Sequence, residues 1–77
     1  MQVKEEKMCT FSQKGYRLQL LRLTTEYIYT QTGEQGTIVR YQVRLNRKIV
    51  DTSLSEYTER KIFATYCQNI VLQLKIY

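Results

Sequence analysis

Apolar and polar positions alternate most regularly over residues 37–45. Thr37, Val39, Tyr41, Val43 and Leu45 share one parity, and Ile38, Arg40, Gln42 and Arg44 the other. A period of two sends successive side chains to opposite faces, so this segment reads as a half-buried strand. Residues 16–30 are rich in Leu, Thr, Tyr and Ile, and Leu21, Leu23, Thr25, Tyr27 and Tyr29 alternate with Arg22, Thr24, Glu26 and Ile28. The phase slips at Leu20 and Leu21, a place for a bulge. Leu20, Leu23, Tyr27 and Ile28 also fit a helical period, so a helix ending at Gly33 competes with the strand. The crowding of β-branched and aromatic residues favours the strand.

Turn chemistry joins these segments. Residues 31–36, with Gly33 and Gly36, supply a loop, and Asn46 with Arg47 fits a two-residue turn into Lys48, Ile49 and Val50, because Asn tolerates positive φ. Three strands in a meander result. Ser53 with Glu56 three residues on has the form of a capping box, so a helix is expected to begin near Leu54. Ile62, Phe63, Tyr66 and Cys67 share one of its faces, on which Glu59 intrudes, while Leu54, Tyr57 and Ala64 lie elsewhere. Asn69 can end the helix. Ile70, Leu72, Leu74 and Ile76 then alternate with Val71, Gln73, Lys75 and Tyr77 as a closing strand.

Residues 1–15 fit neither period. Val3, Met8 and Phe11 are irregularly spaced and Gly15 ends the stretch, which reads as a loosely attached arm or a short edge strand. The expected fold is therefore α+β: an arm over 1–15 and a single β-β-β-α-β domain over 16–77. It combines an antiparallel three-stranded meander with a C-terminal strand, and one helix packs on one sheet face. A right-handed crossover would set the last strand parallel to the strand of residues 16–30 and beside it.

Pairing the first two strands about the Gly33 loop sets Leu23 opposite Val43 and Tyr27 opposite Val39 inside. Outside, Glu26 faces Arg40 and Arg22 faces Arg44. The last pair places like charges side by side, a mildly unfavourable arrangement unless an anion sits between them.

Composition narrows the function classes. The chain has 77 residues, 43% hydrophobic and 25% charged, the proportions of an ordinary globular domain. Residues 1–7 contain no apolar core of a signal sequence, and no stretch approaches the roughly 20 apolar residues that span a bilayer, so a cytoplasmic location and no membrane contact are expected. Two cysteines far apart, Cys9 and Cys67, suggest reduced thiols, with Cys67 a small buried apolar residue on the helix. The absence of His removes the commonest general base and zinc ligand, and the carboxylates show no pairing suited to acid–base chemistry. No enzyme, metal or cofactor is expected.

The net charge is +5, and between positions 14 and 48 seven basic residues stand against Glu26 and Glu34 alone, so the segment holds the whole excess. Arg22, Arg40, Arg44, Arg47 and Lys48 are the candidate site for an anion or a partner, since guanidinium groups match carboxylate and phosphate oxygens. A solvated basic face is the competing explanation. Seven tyrosines add a possible contact surface, as a Tyr ring can bury its body and keep its hydroxyl bonded. The expected function is a non-enzymatic interaction module that binds an acidic protein surface or a second copy of itself, through the basic sheet face and exposed tyrosines. The alternative is a small nucleic-acid-binding protein whose basic face tracks phosphates while tyrosines stack on bases.

Overall fold

The computed structural model describes residues 2–72. Four strands, β1 (Gln2–Gln13), β2 (Tyr16–Ile28), β3 (Gln35–Leu45) and β4 (Lys48–Ser53), precede one helix, α1 (Glu56–Val71). They form a single antiparallel sheet in the order β1-β2-β3-β4, with α1 on one face. The α+β class and the meander are as expected; the β-β-β-α-β order is not. Ile70 and Val71, expected to open a last strand, are the final residues of α1, and Ile70 is buried against the sheet. The rest of that strand, residues 73–77, lies outside the described residues. The place foreseen for it beside β2 is taken by β1, antiparallel and paired from Gln2 to Gln13. Of the two readings of residues 1–15, the structure has the edge strand, and a long one.

Both tight hairpins turn on two residues with positive φ, Lys14 and Gly15 in one, Asn46 and Arg47 in the other. The Asn46 turn is fastened to β2: the Arg17 N–H donates to Asn46 Oδ1 and the Asn46 N–H to the Arg17 carbonyl, both at 2.8 Å. The hairpin between β2 and β3 is wider, closed by Tyr29 and Glu34 with Gly33 at φ 73°. Gly36 belongs to β3 rather than to the loop, because the Tyr27 ring lies across it, and a Cβ there would overlap that ring.

Moving Gly36 into the strand changes the register. Leu20 faces Val43, Leu23 faces Arg40 and Arg22 faces Tyr41, a displacement of three residues from the expected pairing. An odd displacement reverses the face of one strand relative to the other, so Arg22 and Arg44 end on opposite sides of the sheet and do not repel. On the helix side, cross-strand rows run Phe11–Leu18–Leu45, Cys9–Leu20–Val43 and Glu6–Arg22–Tyr41. The first two rows meet Ile62, Phe63, Tyr66, Cys67 and Ile70 of α1 to make the core, and bulges after Lys7 and near Val50 turn Met8 and Val50 toward it. The third row ends it: Arg22 Nη1 pairs with Glu6 Oε2 at 3.1 Å, and beyond it Thr24, Glu26 and Thr37 continue a face that α1 does not reach.

The helix start lies two residues later than Ser53. Ser55 is the N-cap, its Oγ accepting from the Thr58 N–H at 3.1 Å, while Ser53 Oγ holds the approach by accepting from the Ser55 N–H. Glu56 and Glu59 in the first turn suit the positive end of the helix. At the other end Lys14 Nζ donates to the Val71 carbonyl, a cation supplied by the first hairpin to a helix with none in its own last turn. Replacing Ser55 with Ala should lower stability by about 1 kcal/mol in denaturant unfolding. Ser53→Ala leaves that cap bonded but removes the donor to the buried Glu59 carboxyl, and should cost about 1–3 kcal/mol. An unchanged midpoint for Ser55→Ala would place the cap elsewhere.

Candidate functional site

The face of the sheet opposite α1 carries no covering layer among the described residues. Its rows run Thr10–Gln19–Arg44–Ile49, Lys7–Leu21–Gln42–Thr52, Glu5–Leu23–Arg40 and Val3–Thr25–Ile38. Leu21, at the centre, is 1% exposed although no helix lies over it. The cover is polar. Arg44 reaches diagonally across β2, donating from Nε to Gln42 Oε1 at 2.6 Å and from Nη2 to Glu5 Oε1 at 2.9 Å, and the diagonal from its row to that of Glu5 crosses β2 at Leu21. The aliphatic part of an Arg and the amide of Gln42, itself buried, seal the leucine from water. Ile38 and Ile49 are exposed on the same face at 41% and 58%.

The five residues expected to make one anion site are dispersed. Arg40 and Arg44 share the helix-free face, two rows apart. Arg22 is on the helix side, bonded to Glu6. Arg47 forms the turn after β3, and Lys48 opens β4 opposite Leu45. Arg17, counted in the basic segment but not placed in the site, joins Arg44 and Lys7 on the helix-free face. That face thus holds Lys7, Arg17, Arg40 and Arg44 against Glu5 alone. The missed signal was parity: on β2, Arg17 is in phase with Leu21 and Leu23, and Arg22 with Leu18 and Leu20. The exposed tyrosines are scattered as well, with Tyr16 at one end of β2, Tyr29 at the far hairpin and Tyr57 on the outer side of α1. Tyr77 lies outside the described residues. Only Tyr27 is on the helix-free face, its ring set edge-to-face against Tyr29 at 5.1 Å.

On the helix side two groups depart from their ordinary acidities. The Arg60 guanidinium, 2.6 Å from Glu56 Oε2, holds the Glu56 carboxyl below the usual range, with help from Tyr41 and Arg22 against a smaller effect of burial. Glu59 behaves oppositely. It is fully buried between α1 and β4, its Oε2 accepts from Ser53 Oγ at 3.0 Å, its Oε1 has no donor, and Asp51 faces it. Burial first, and then Asp51, push it up to about 7, so near neutrality Glu59 is partly protonated. Cys9 and Cys67 are both free and half-buried against the core, where burial raises the Cys67 thiol.

No helix among the described residues is long and apolar enough to cross a membrane, and no group of three or more His, Cys, Asp or Glu side chains is placed to hold a metal ion. Compared with known protein families, with curated proteins and with solved structures, the chain matches none.

Because folding raises the Glu59 pKa from an ordinary 4.5 to about 7, the folded state holds that proton more tightly than the unfolded chain. Its contribution is complete below about pH 4.5, declines as pH rises, and is gone above about 7. Urea unfolding should therefore show the protein more stable at pH 5 than at pH 8 by about 2 kcal/mol, and Glu59→Gln should flatten the dependence. A wild-type protein equally stable at both pH values would mean that Glu59 ionises freely.

Proposed function

We propose that the chain is a non-enzymatic interaction module that holds an acidic protein surface against its helix-free sheet face. The observation that carries this reading is the composition of that uncovered face: four cations and one anion around a row of apolar side chains that only neighbouring polar groups shield. An interface gains most of its energy from apolar area that loses water, and its charges set partner choice and encounter rate. Leu23, Ile38 and Ile49 supply the first. Lys7, Arg17, Arg40 and Arg44 supply the second and favour carboxylates.

The same charges argue against two copies stacking face to face, since each would bring a net positive surface to the other. Nucleic acid is the weaker alternative. Strand binding of the stacking kind needs aromatic rings beside the cations, and on this face the Tyr27–Tyr29 pair lies at the end away from Arg17 and Arg44.

The test uses Arg17→Gln with Arg44→Gln, both at the helix-bearing end. Arg44 is 24% exposed and also holds the buried Gln42, so the double variant should lose about 1–2 kcal/mol of stability and remain folded. Retrieval from native lysate should bring down an acidic protein that survives nuclease treatment and is lost with the double variant, the loss falling mainly in the association rate. Co-purifying material removed by nuclease, with a log affinity against log salt slope shallower by about 1.4 to 1.8 in the variant, would replace this reading with the nucleic-acid one. Equal retrieval by both proteins would leave these arginines as solvated surface.

A further inference from the structure

The outer edge of β3 is paired over only part of its length. β4 meets it from Tyr41 to Leu45 and then turns away at Ser53 into α1, whereas β2 lines the other edge as far as Gln35. Residues 35–40 therefore present backbone N–H and C=O groups on their open side with no partner among the described residues. Such a row is a template for one more strand.

We infer that a second copy of the chain completes this edge, its own residues 36–40 pairing antiparallel with the first about a two-fold axis at Ile38, so that two four-stranded sheets join into one of eight. Two observations select this occupant. The first is the lack of protection. Gln35, Gly36, Thr37, Ile38 and Val39 carry no charge, and three of them are β-branched. The long outer edge of β1 instead carries Lys4, Glu5, Glu6 and Lys7 and a bulge after Lys7, and the edge of β4 is short and bulged near Val50. Charges and bulges are the devices that keep an edge from pairing, and this stretch of β3 has no bulge and a single charge, Arg40, at its end.

The second observation is the distribution of charge along a molecule 53 Å long. The end beyond the Arg22 row holds Lys4, Arg22 and Arg40 against Glu5, Glu6, Glu26 and Glu34, close to neutral. The helix-bearing end holds eight cations against three anions among the described residues. Antiparallel pairing brings the near-neutral ends together and sends the two basic ends to opposite extremes, the arrangement of least repulsion between like molecules.

An axis perpendicular to the sheet keeps both helix-free faces on the same side; Ile38 is shared between the pairing and that face, whereas Arg17 and Arg44 lie away from the axis, so the double Arg17 and Arg44 variant should assemble normally. Sedimentation of the full chain should give a mass approaching twice 9.3 kDa by about 200 μM. Ile38→Lys places two ammonium groups side by side at the axis and should restore the single-chain mass, as should Ile38→Glu alone. An equimolar mixture of the two should recover the doubled mass, which also shows that each variant folds. Ile38→Cys should form a covalent dimer on mild oxidation, since facing residues in a symmetric antiparallel pair lie about 4.5–5.5 Å apart at Cα. A wild-type chain that stays at single mass to 200 μM, or an Ile38→Lys chain that stays doubled, overturns the inference.

Discussion

A helix of 16 residues cannot cover a strand of 13, and the rest of the molecule follows from that mismatch. At about 1.5 Å per residue α1 reaches some 24 Å, while β2 at about 3.3 Å per residue runs some 43 Å. The result is an extended shape. The radius of gyration is 15.2 Å, where about 11.5 Å is expected of a compact chain of this length. The boundary is built into the sequence at the Glu6–Arg22–Tyr41 row, where the helix side of the sheet changes from Leu and Val to ions. With Glu56 and Arg60 from the helix, these side chains give the core a polar rim.

On the covered half, the energetics depend on few residues. Leu18, Leu20 and Val43 of the sheet and Ile70 of α1 are the fully buried apolar side chains between them, and losing any one to Ala belongs to the class of changes that cost a few kcal/mol. Glu59 is the exception among them. A carboxyl fully out of water is tolerated because Ser53 donates to it and because it holds its proton beside Asp51. The same contacts tie the first turn of the helix to β4, so the docking of α1 is linked to the protonation of that side chain.

The legible parts of this fold were those with a local cause. The 37–45 strand, the Asn46 and Arg47 turn, and the helix face of Ile62, Phe63, Tyr66 and Cys67 with Glu59 intruding all follow from periodicity or backbone preference within a few residues. What was not legible depended on a partner distant in the chain. Residues 2–13 show no clean alternation because a bulge at Met8 changes their phase halfway, and only the pairing with β2 makes sense of Lys7 outward and Cys9 inward. The register between β2 and β3 turned on whether Gly36 was loop or strand, and the Tyr27 ring that decides it lies across the hairpin. That error of three residues gathered Arg22 and Arg44 into one site. The true register separates them and gives each a glutamate of β1, a strand that had been read as a loose arm or short edge.

The two open surfaces differ in the kind of partner each can accept. The helix-free face is broad, carries side chains of mixed character, and already satisfies part of its own chemistry through Arg44, Gln42 and Glu5. A partner there must compete with water for cations and offer something apolar to Leu23 and Ile38, which calls for a folded surface with carboxylates at its rim. The β3 edge offers backbone groups, which any extended segment can satisfy, so its selectivity must come from what surrounds it. Arg40 closes one end of that segment and the chain reverses through Gly33 at the other, leaving about six residues for pairing. A short uncharged edge at the near-neutral end of a basic molecule discriminates little by side chain. It discriminates by field, because a like molecule can approach it only with the basic ends turned away.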